Sequence, residues 1–395
     1  MSSAIDRAVR RAAGGDTGRR RDAEIRASLA DLLAPGPPTE PDLRPPSTRR
    51  PRKRRSPLVR VVLWLLACGL FLAAVPMGAV LYVGWRLDHN MHRIDGVFDG
   101  LGNRPAKPTS GSAAHALNIL LLGTDLRSAV PTTGTDATAP TWAPGADRSD
   151  TMMIVHIAGD RRSASVVSLP RDSWVPIPGH GYGKINAALS YGGPSLAVAT
   201  VEQLTGVHID HLAVVDWSGF IALTDAVGGV DVDVPATVTD TKHHVTWTAG
   251  RHHLDGAQAL LYLRQRYGLP GGDLDRVARQ QAFLRTLMQD SLHTEMRKNP
   301  RMLYSFLSTV TQHVSIDSSW SAASMAQLVV SLRDLRSLDI SYLTAPVAGF
   351  GREGDQSVVR LAPQADAELW QALREDRMPQ WSAIHWQDLT PDAVS

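Results

Sequence analysis

The chain has one cysteine, Cys68, in 395 residues. That excludes an intrachain disulfide and any metal site built on thiolates. Lysine is almost as scarce: five of the 41 basic residues are Lys, leaving 36 Arg. There is no GxxxxGK[ST] phosphate loop and no GxSxG elbow. The nucleotide-binding and hydrolase classes that carry those signatures are therefore set aside. No internal repeat occurs, so a solenoid or propeller is excluded too.

What is present is enough chain for a large core: 43% of the residues are hydrophobic. The net charge of +2 is unevenly spread. Residues 1–60 hold 15 Lys+Arg and seven Asp+Glu, a local +8, which leaves −6 for the remainder. An acidic main body argues against nucleic acid as a partner.

Residues 61–85, "VVLWLLACGLFLAAVPMGAVLYVGW", carry no charged side chain. A helix of that length exceeds the ~30 Å apolar thickness of a bilayer. The spacing predicts one transmembrane helix, with Trp64, Tyr82 and Trp85 at its interfaces. "RRPRKRR" at 49–55 precedes it. Positive flanks stay in the cytoplasm, so the N-terminus is expected inside and everything after about residue 86 outside. Residues 1–60 read as a basic, mostly disordered tail, with room for a short amphipathic helix near 22–33. Residues 86–116 read as a linker.

Beyond the linker, apolar runs at 118–125, 151–157, 164–169, 211–216, 230–234 and 338–344 read as strands. Helical patterns cover 195–206, 217–229, 278–292 and 319–334. That alternation predicts an α/β domain with a parallel or mixed sheet. Ligands of such sheets sit outside the strand ends. Asp125 follows the first strand, Arg171 and Asp172 follow the third, and Arg148 and Asp150 precede the second. If the second strand runs antiparallel to its neighbours, all of these meet on one edge. Each also has a plainer reading as a cap or turn residue.

"LYLRQRYGLPGGDLDRVARQQ" at 261–281 gathers four arginines. Asp255 is placed to cap a helix that ends near Arg264. Arg264 and Arg266, two apart, share a face only if the chain is extended there. On the next helix, Arg276, Gln280, Phe283 and Leu287 form one stripe. A guanidinium on an apolar stripe needs an anion. Either a ligand supplies it or Asp273 and Asp275 do. Several arginines beside carboxylates suit polyphosphate, because guanidinium grips phosphate oxygens in pairs and Mg²⁺ takes carboxylate plus phosphate oxygens. The doublets His243–His244 and His252–His253 fit a solvated hairpin better than a metal site.

Taken together, "NILLLGTDLR", "RSDTMMIVHI", "VVSLPRDSWVPIPGHGYGKINAALSYGG", "VDWSGFIALTDAVGGVDVDVP" and "LDGAQALLYLRQR…DLDRVARQQAFL" resemble the LytR–CpsA–Psr family of bacterial cell-wall proteins, of actinobacterial type. They follow the family's order over about residues 117–290. The resemblance implies a three-layer α/β/α fold with a central mixed sheet, preceded by one transmembrane helix. It implies an extracellular catalytic domain over 117–345, with 346–395 as an extension and tail. The activity implied is transfer of a glycopolymer from a polyprenyl-pyrophosphate carrier to peptidoglycan, forming a phosphodiester and releasing polyprenyl phosphate. By motif match, Asp125 and Asp150 would hold Mg²⁺ or Mn²⁺. Arg148, Arg171, Arg264, Arg266, Arg276 and Gln280 would bind the pyrophosphate, and Asp125, Asp150, Arg148 and Arg171 would be catalytic. An apolar pocket would take the lipid. Asp125, Asp150 and Asp172 all remain open as general base. A pyrophosphohydrolase and a non-catalytic lipid-phosphate regulator remain as alternatives. Residues 128–147 form an insertion between the two metal motifs, read as a lid or a surface loop.

Overall fold

The computed structural model describes residues 81–124, 132–135, 149–265, 273–291 and 299–390, together with Trp64, Leu70, Phe71, Ala74, Gly78, Ala137 and Trp142. The chain divides into Met1–Gly69 and Leu70–Ser395. Only the second unit is described beyond Trp64. Most of the expected membrane segment and the helix expected near 22–33 lie outside the described residues. Among those described, no helix is long and apolar enough to cross a membrane.

The architecture is mixed α/β. In chain order it runs β1 (His92–Ile94), β2 (Leu117–Thr124), β3 (Ser149–Ile157), β4 (Ala164–Ser168), a hairpin of β5 (Trp174–Ile177) and β6 (Gly181–Lys184), and α1 (Ala187–Thr205). β7 (His211–Asp216), α2 (Trp217–Ala226), β8 (Val230–Val234), β9 (Val238–Asp240), β10 (Val245–Trp247), β11 (Gly250–Leu254), α3 (Gly256–Arg264) and α4 (Asp273–Ser291) follow. The chain ends with α5 (Pro300–His313), β12 (Val314–Asp317), α6 (Ala322–Ser331), β13 (Ile340–Thr344), β14 (Val347–Glu353), β15 (Gln356–Leu361), α7 (Pro363–Arg374) and α8 (Met378–Ile384).

Seven strands form the central sheet in the order β1-β12-β7-β2-β3-β4-β13. β2 pairs parallel with β7 and antiparallel with β3, and β3 pairs antiparallel with β4. The ends of β2, β4 and β7 and the start of β3 therefore share one edge. Period-two alternation sends Leu120, Leu122, Met152, Ile154 and Val167 into one core with α1, α7 and α8. Ile119, Met153, Ile157 and Val166 face the other way, against Leu284 and Met288 of α4 and Met325 and Leu328 of α6. Burial on both faces is why these strands read as unbroken apolar runs.

The structure corrects several expectations. Residues 230–234 are not in the main sheet; they pair antiparallel with β11. "VDVDV" turns its valines to a small core with Tyr262 and Phe283 and leaves Asp231 and Asp233 outside it, a one-faced pattern that an internal strand does not have. β12 was not anticipated, because "VSID" is short and half polar; Asp317 is tied to His211 Nδ1 and the Leu212 N–H. The 86–116 stretch is more than a linker. β1 lies parallel to β12 at the sheet edge, Val97 enters the main core, and Arg104 grips Glu202 through two guanidinium nitrogens. Helix α1 begins earlier than 195 and kinks at Gly192–Gly193, ahead of Pro194. Its end at Gly206 is as expected: φ there is 64°, and its N–H donates to the carbonyl of Glu202. Beyond residue 345, Leu369, Trp370, Met378 and Trp381 join the main core, so the late segments are integral to the fold.

One core carboxyl sets a pH dependence. Asp366, in the first turn of α7, is buried. Burial pushes it up to about 7, against the N–H of Ala362 that pulls it down. The folded state then keeps a proton that the unfolded chain releases near pH 4. Stability should therefore fall as pH rises from about 4 to 7 and level off above, by roughly 2–4 kcal/mol. Asp366→Asn should flatten that slope, measured by denaturant unfolding at pH 4.5 and pH 8. An unchanged slope would show that Asp366 titrates normally.

Candidate active site

At the shared sheet edge lies a cavity of about 540 Å³. Its polar lining includes Thr124, Asp150, Asp216, Arg264, Arg276 and Gln280. Its apolar lining includes Leu121, Met153, Phe220, Leu260, Phe283 and Leu287. Helix α4 orders these groups. Arg276 and Gln280 sit near its start, and Phe283, Leu284 and Leu287 follow on the same face. At 1.5 Å per residue that stripe runs about 16 Å from charge to hydrocarbon. Gln281 ties the helix to the sheet, donating to Ser168 Oγ at 2.8 Å and to the carbonyl of Leu343 at 2.6 Å.

Asp150, Arg264, Arg276 and Gln280 are thus brought together as expected. Arg171 joins them through an ion pair between its guanidinium and the Asp150 carboxylate. Asp125, Arg148 and Arg266 lie outside the described residues, as do the side chains of Asp273 and Asp275. Arg264 is the last residue of α3, whose start is capped by Asp255 and Gln258 in a reciprocal pair. Its guanidinium lies 3.9 Å over the ring of Trp217, the first residue of α2. Among the described residues it meets no carboxylate. Arg276 is only 3% exposed, a cation held within the cavity wall. Asp172 does not line the cavity; it pairs with Lys184 Nζ at 3.0 Å and lies 3.9 Å from Arg171 Nε.

Three lining residues escaped the sequence reading as site residues. Asp216 caps α2 and accepts from the N–H groups of Gly219, Thr132 and Thr133 and the Thr132 hydroxyl. Burial raises its carboxyl, but those donors outweigh it and hold it below the ordinary range. So saturated, Asp216 is structural; the Asp-Trp-Ser-Gly entry to a helix was the available signal. Lys242 and His243, on the turn between β9 and β10, also line the cavity. Their signal was the "TKHH" run, read only as a hairpin. The 128–147 insertion contributes Thr132 and Thr133 to the Asp216 clamp, and its Trp142 packs over Gly193.

The donors suit a hard cation. Thr124 Oγ1 is buried without a hydrogen-bond partner among the described residues, and Asp150 presents a carboxylate to the cavity. Among the described residues there is no cluster of three or more His, Cys, Asp or Glu to hold a metal alone. Such a sparse oxygen set favours Mg²⁺ or Mn²⁺ shared with a phosphate ligand over Zn²⁺.

A family model described as LytR_cpsA_psr matches residues 99–375. The chain belongs to the LytR–CpsA–Psr family. A relative within the curated proteins is the cell wall biosynthesis protein LcpA of Corynebacterium glutamicum, 33% identical over 321 residues, covering 72% of this chain. The chain spans 61% of the length of that relative. Another is the polyisoprenyl-teichoic acid–peptidoglycan teichoic acid transferase TagU of Enterococcus faecalis, 32% identical over 252 residues, covering 64% of this chain and 76% of TagU. Among solved structures, one titled "TagT bound to LIIa-WTA" aligns with a TM-score of 0.54 and 25% identity, over 71% of this chain and 98% of that one. The LytR–CpsA–Psr model begins at residue 99, within the stretch that joins β1 to β2, so β1 lies outside it while the cavity lies inside it.

Proposed function

We propose that this protein transfers a glycopolymer from a polyprenyl-pyrophosphate carrier to peptidoglycan, leaving a phosphodiester and releasing polyprenyl phosphate. The observation that carries this is one cavity with arginines at one end of α4 and an apolar wall along the rest. A ligand that is polyphosphate at one end and hydrocarbon at the other matches both. The names of LcpA and TagU support the same reading. The basic run at 49–55 ahead of 61–85 supports a domain outside the cell, anchored by 61–85 with the N-terminus cytoplasmic.

Arg264, Arg276 and Gln280 would hold the pyrophosphate oxygens, and the Trp217 ring beneath the planar Arg264 fork restrains its direction. Arg171 and Asp150 hold one another, which fixes the edge where β3 begins. Asp125 and Asp150 would hold Mg²⁺, which supplies charge neutralisation at the phosphates when bound. Phe220, Phe283 and Leu287 exclude water from the lipid's first isoprene units. Phosphoryl transfer asks for little more than positioning and charge balance, and these groups provide both.

The test is reconstitution. Full-length protein in lipid nanodiscs is given Mg²⁺, a polyprenyl-pyrophosphate disaccharide and soluble peptidoglycan strands. Mass spectrometry should find the saccharide joined to the strand through phosphate, with polyprenyl phosphate as the second product. Release of sugar phosphate into water with no coupled strand would replace the transferase by a pyrophosphohydrolase.

A further inference from the structure

Transfer to a sugar hydroxyl releases a proton, and something must take it. Among the described carboxylates, Asp150 is tied to Arg171, Asp216 is saturated, and Asp172 is paired with Lys184 and Arg171. The cavity contains one more group built for the task. His243 lies on its wall, with the ring's Nδ1 2.7 Å from Oδ2 of Asp240. The Asp240 side chain is 2% exposed. Its other oxygen accepts from the backbone N–H groups of Lys242 and His243, at 2.9 and 3.3 Å. Burial raises this carboxyl, yet the His243 ring and those two N–H groups outweigh it and hold it below the ordinary range.

An ionised Asp240 accepts, so Nδ1 carries the proton and Nε2 keeps a free lone pair. A buried carboxylate fixing the tautomer and orientation of a half-exposed imidazole is the arrangement that general bases use on unrelated folds. The turn is held in place. On β10, Trp247 packs edge-on against Tyr262 of α3, centroids 5.4 Å apart, two residues before Arg264. The hairpin is thus pinned to the helix that delivers the pyrophosphate-binding arginine.

We infer that His243, oriented by Asp240, is the general base that deprotonates the acceptor hydroxyl. Resting on the transferase reading, the step balances as follows. Nε2 takes the hydroxyl proton as the oxygen forms a bond to the glycan-bearing phosphorus. The bond from that phosphorus to the bridging oxygen breaks, and its electron pair leaves with polyprenyl phosphate. The proton on the imidazolium then passes to solvent. The charged groups facing His243 are Asp240 and Lys242 on its own hairpin and Arg264, Arg276, Asp150 and Asp216 on the cavity lining. His244 is the remaining titratable neighbour on the turn.

The experiment compares wild type, His243→Gln, His243→Ala and Asp240→Asn in the nanodisc assay from pH 5 to pH 9. Wild type should lose kcat on the acid side as the imidazole protonates. His243→Gln should lower kcat by about 10²–10⁴-fold with KM for the lipid nearly unchanged, and its acid limb should vanish. Asp240→Asn should keep the limb but lower kcat. Imidazole added to His243→Ala should restore part of the rate. Melting temperatures within a few degrees of wild type separate this from misfolding. An acid limb that persists in a folded His243→Gln, or a fall confined to KM, overturns the inference while leaving transfer intact. A wild type that makes no coupled product overturns the transferase reading and the base together.

Discussion

Arg264→Ala should lower kcat/KM for lipid-linked substrate by about 10²–10³-fold, the usual effect of deleting one preorganised charged donor at a developing anion. Its effect on folding should be small, within about 1 kcal/mol, for three reasons. The residue is exposed, it meets no carboxylate among the described residues, and it ends its helix rather than occupying the interior. What it loses in the empty protein is the stack on Trp217, worth about 0.5–1 kcal/mol at an exposed site. Arg264→Lys keeps the charge but not the flat fork, so it should recover only part of the rate. Arg276→Ala should show the same loss of binding. Binding is read with a fluorescent polyprenyl-pyrophosphate analogue and stability by thermal melting. A large drop in melting temperature with unchanged binding would make Arg264 a structural residue.

Why the site was legible and parts of the fold were not is itself a matter of physics. Arg276 and Gln280 could be placed because a helix repeats every 3.6 residues and a charge on an apolar stripe stands out, and Arg264 because it clusters with Arg266 where a capped helix ends. Asp150 could be placed because the residues that start a strand lie at the sheet edge whatever the sheet's order. β12 could not. Its Asp317 is buried through bonds to His211 and Leu212 of β7, and its Ser315 through bonds to His92 and the Gly134 N–H, partners that only the folded sheet brings to it. β8 was placed in the wrong sheet because the sequence shows alternation but not which partner covers the apolar side. His243 was missed for the opposite reason. Local sequence explains a His-His turn completely, and nothing in it says that the turn faces a cavity. Asp240, three residues away, carries that information only once the hairpin has closed and buried it.

Asp150→Asn should abolish metal-dependent turnover, a loss of about 10³-fold or more if the ion neutralises the transferred phosphate. The substitution keeps the shape of the side chain and a hydrogen-bond acceptor for Arg171 but removes the charge that a hard cation requires. Stability should fall by only about 1–2 kcal/mol, because the Arg171–Asp150 pair is not fully buried and the amide still accepts from the guanidinium. The decisive readout is separate from turnover. Mn²⁺ titrated against the protein with a soluble pyrophosphate, followed by electron paramagnetic resonance, should bind about 10–100-fold more weakly to Asp150→Asn. Without pyrophosphate, binding to the wild type should already be weak, since the described oxygen donors are few and phosphate oxygens must complete the shell. Lipid-pyrophosphate binding without metal should survive in the variant, because Arg264 and Arg276 are untouched. Chelator should then stop wild-type turnover, and added Mg²⁺ should restart it. Wild-type Mn²⁺ affinity in a folded Asp150→Asn protein, together with turnover that ignores chelator, would remove Asp150 from the metal site and leave the phosphate charge to the arginines alone.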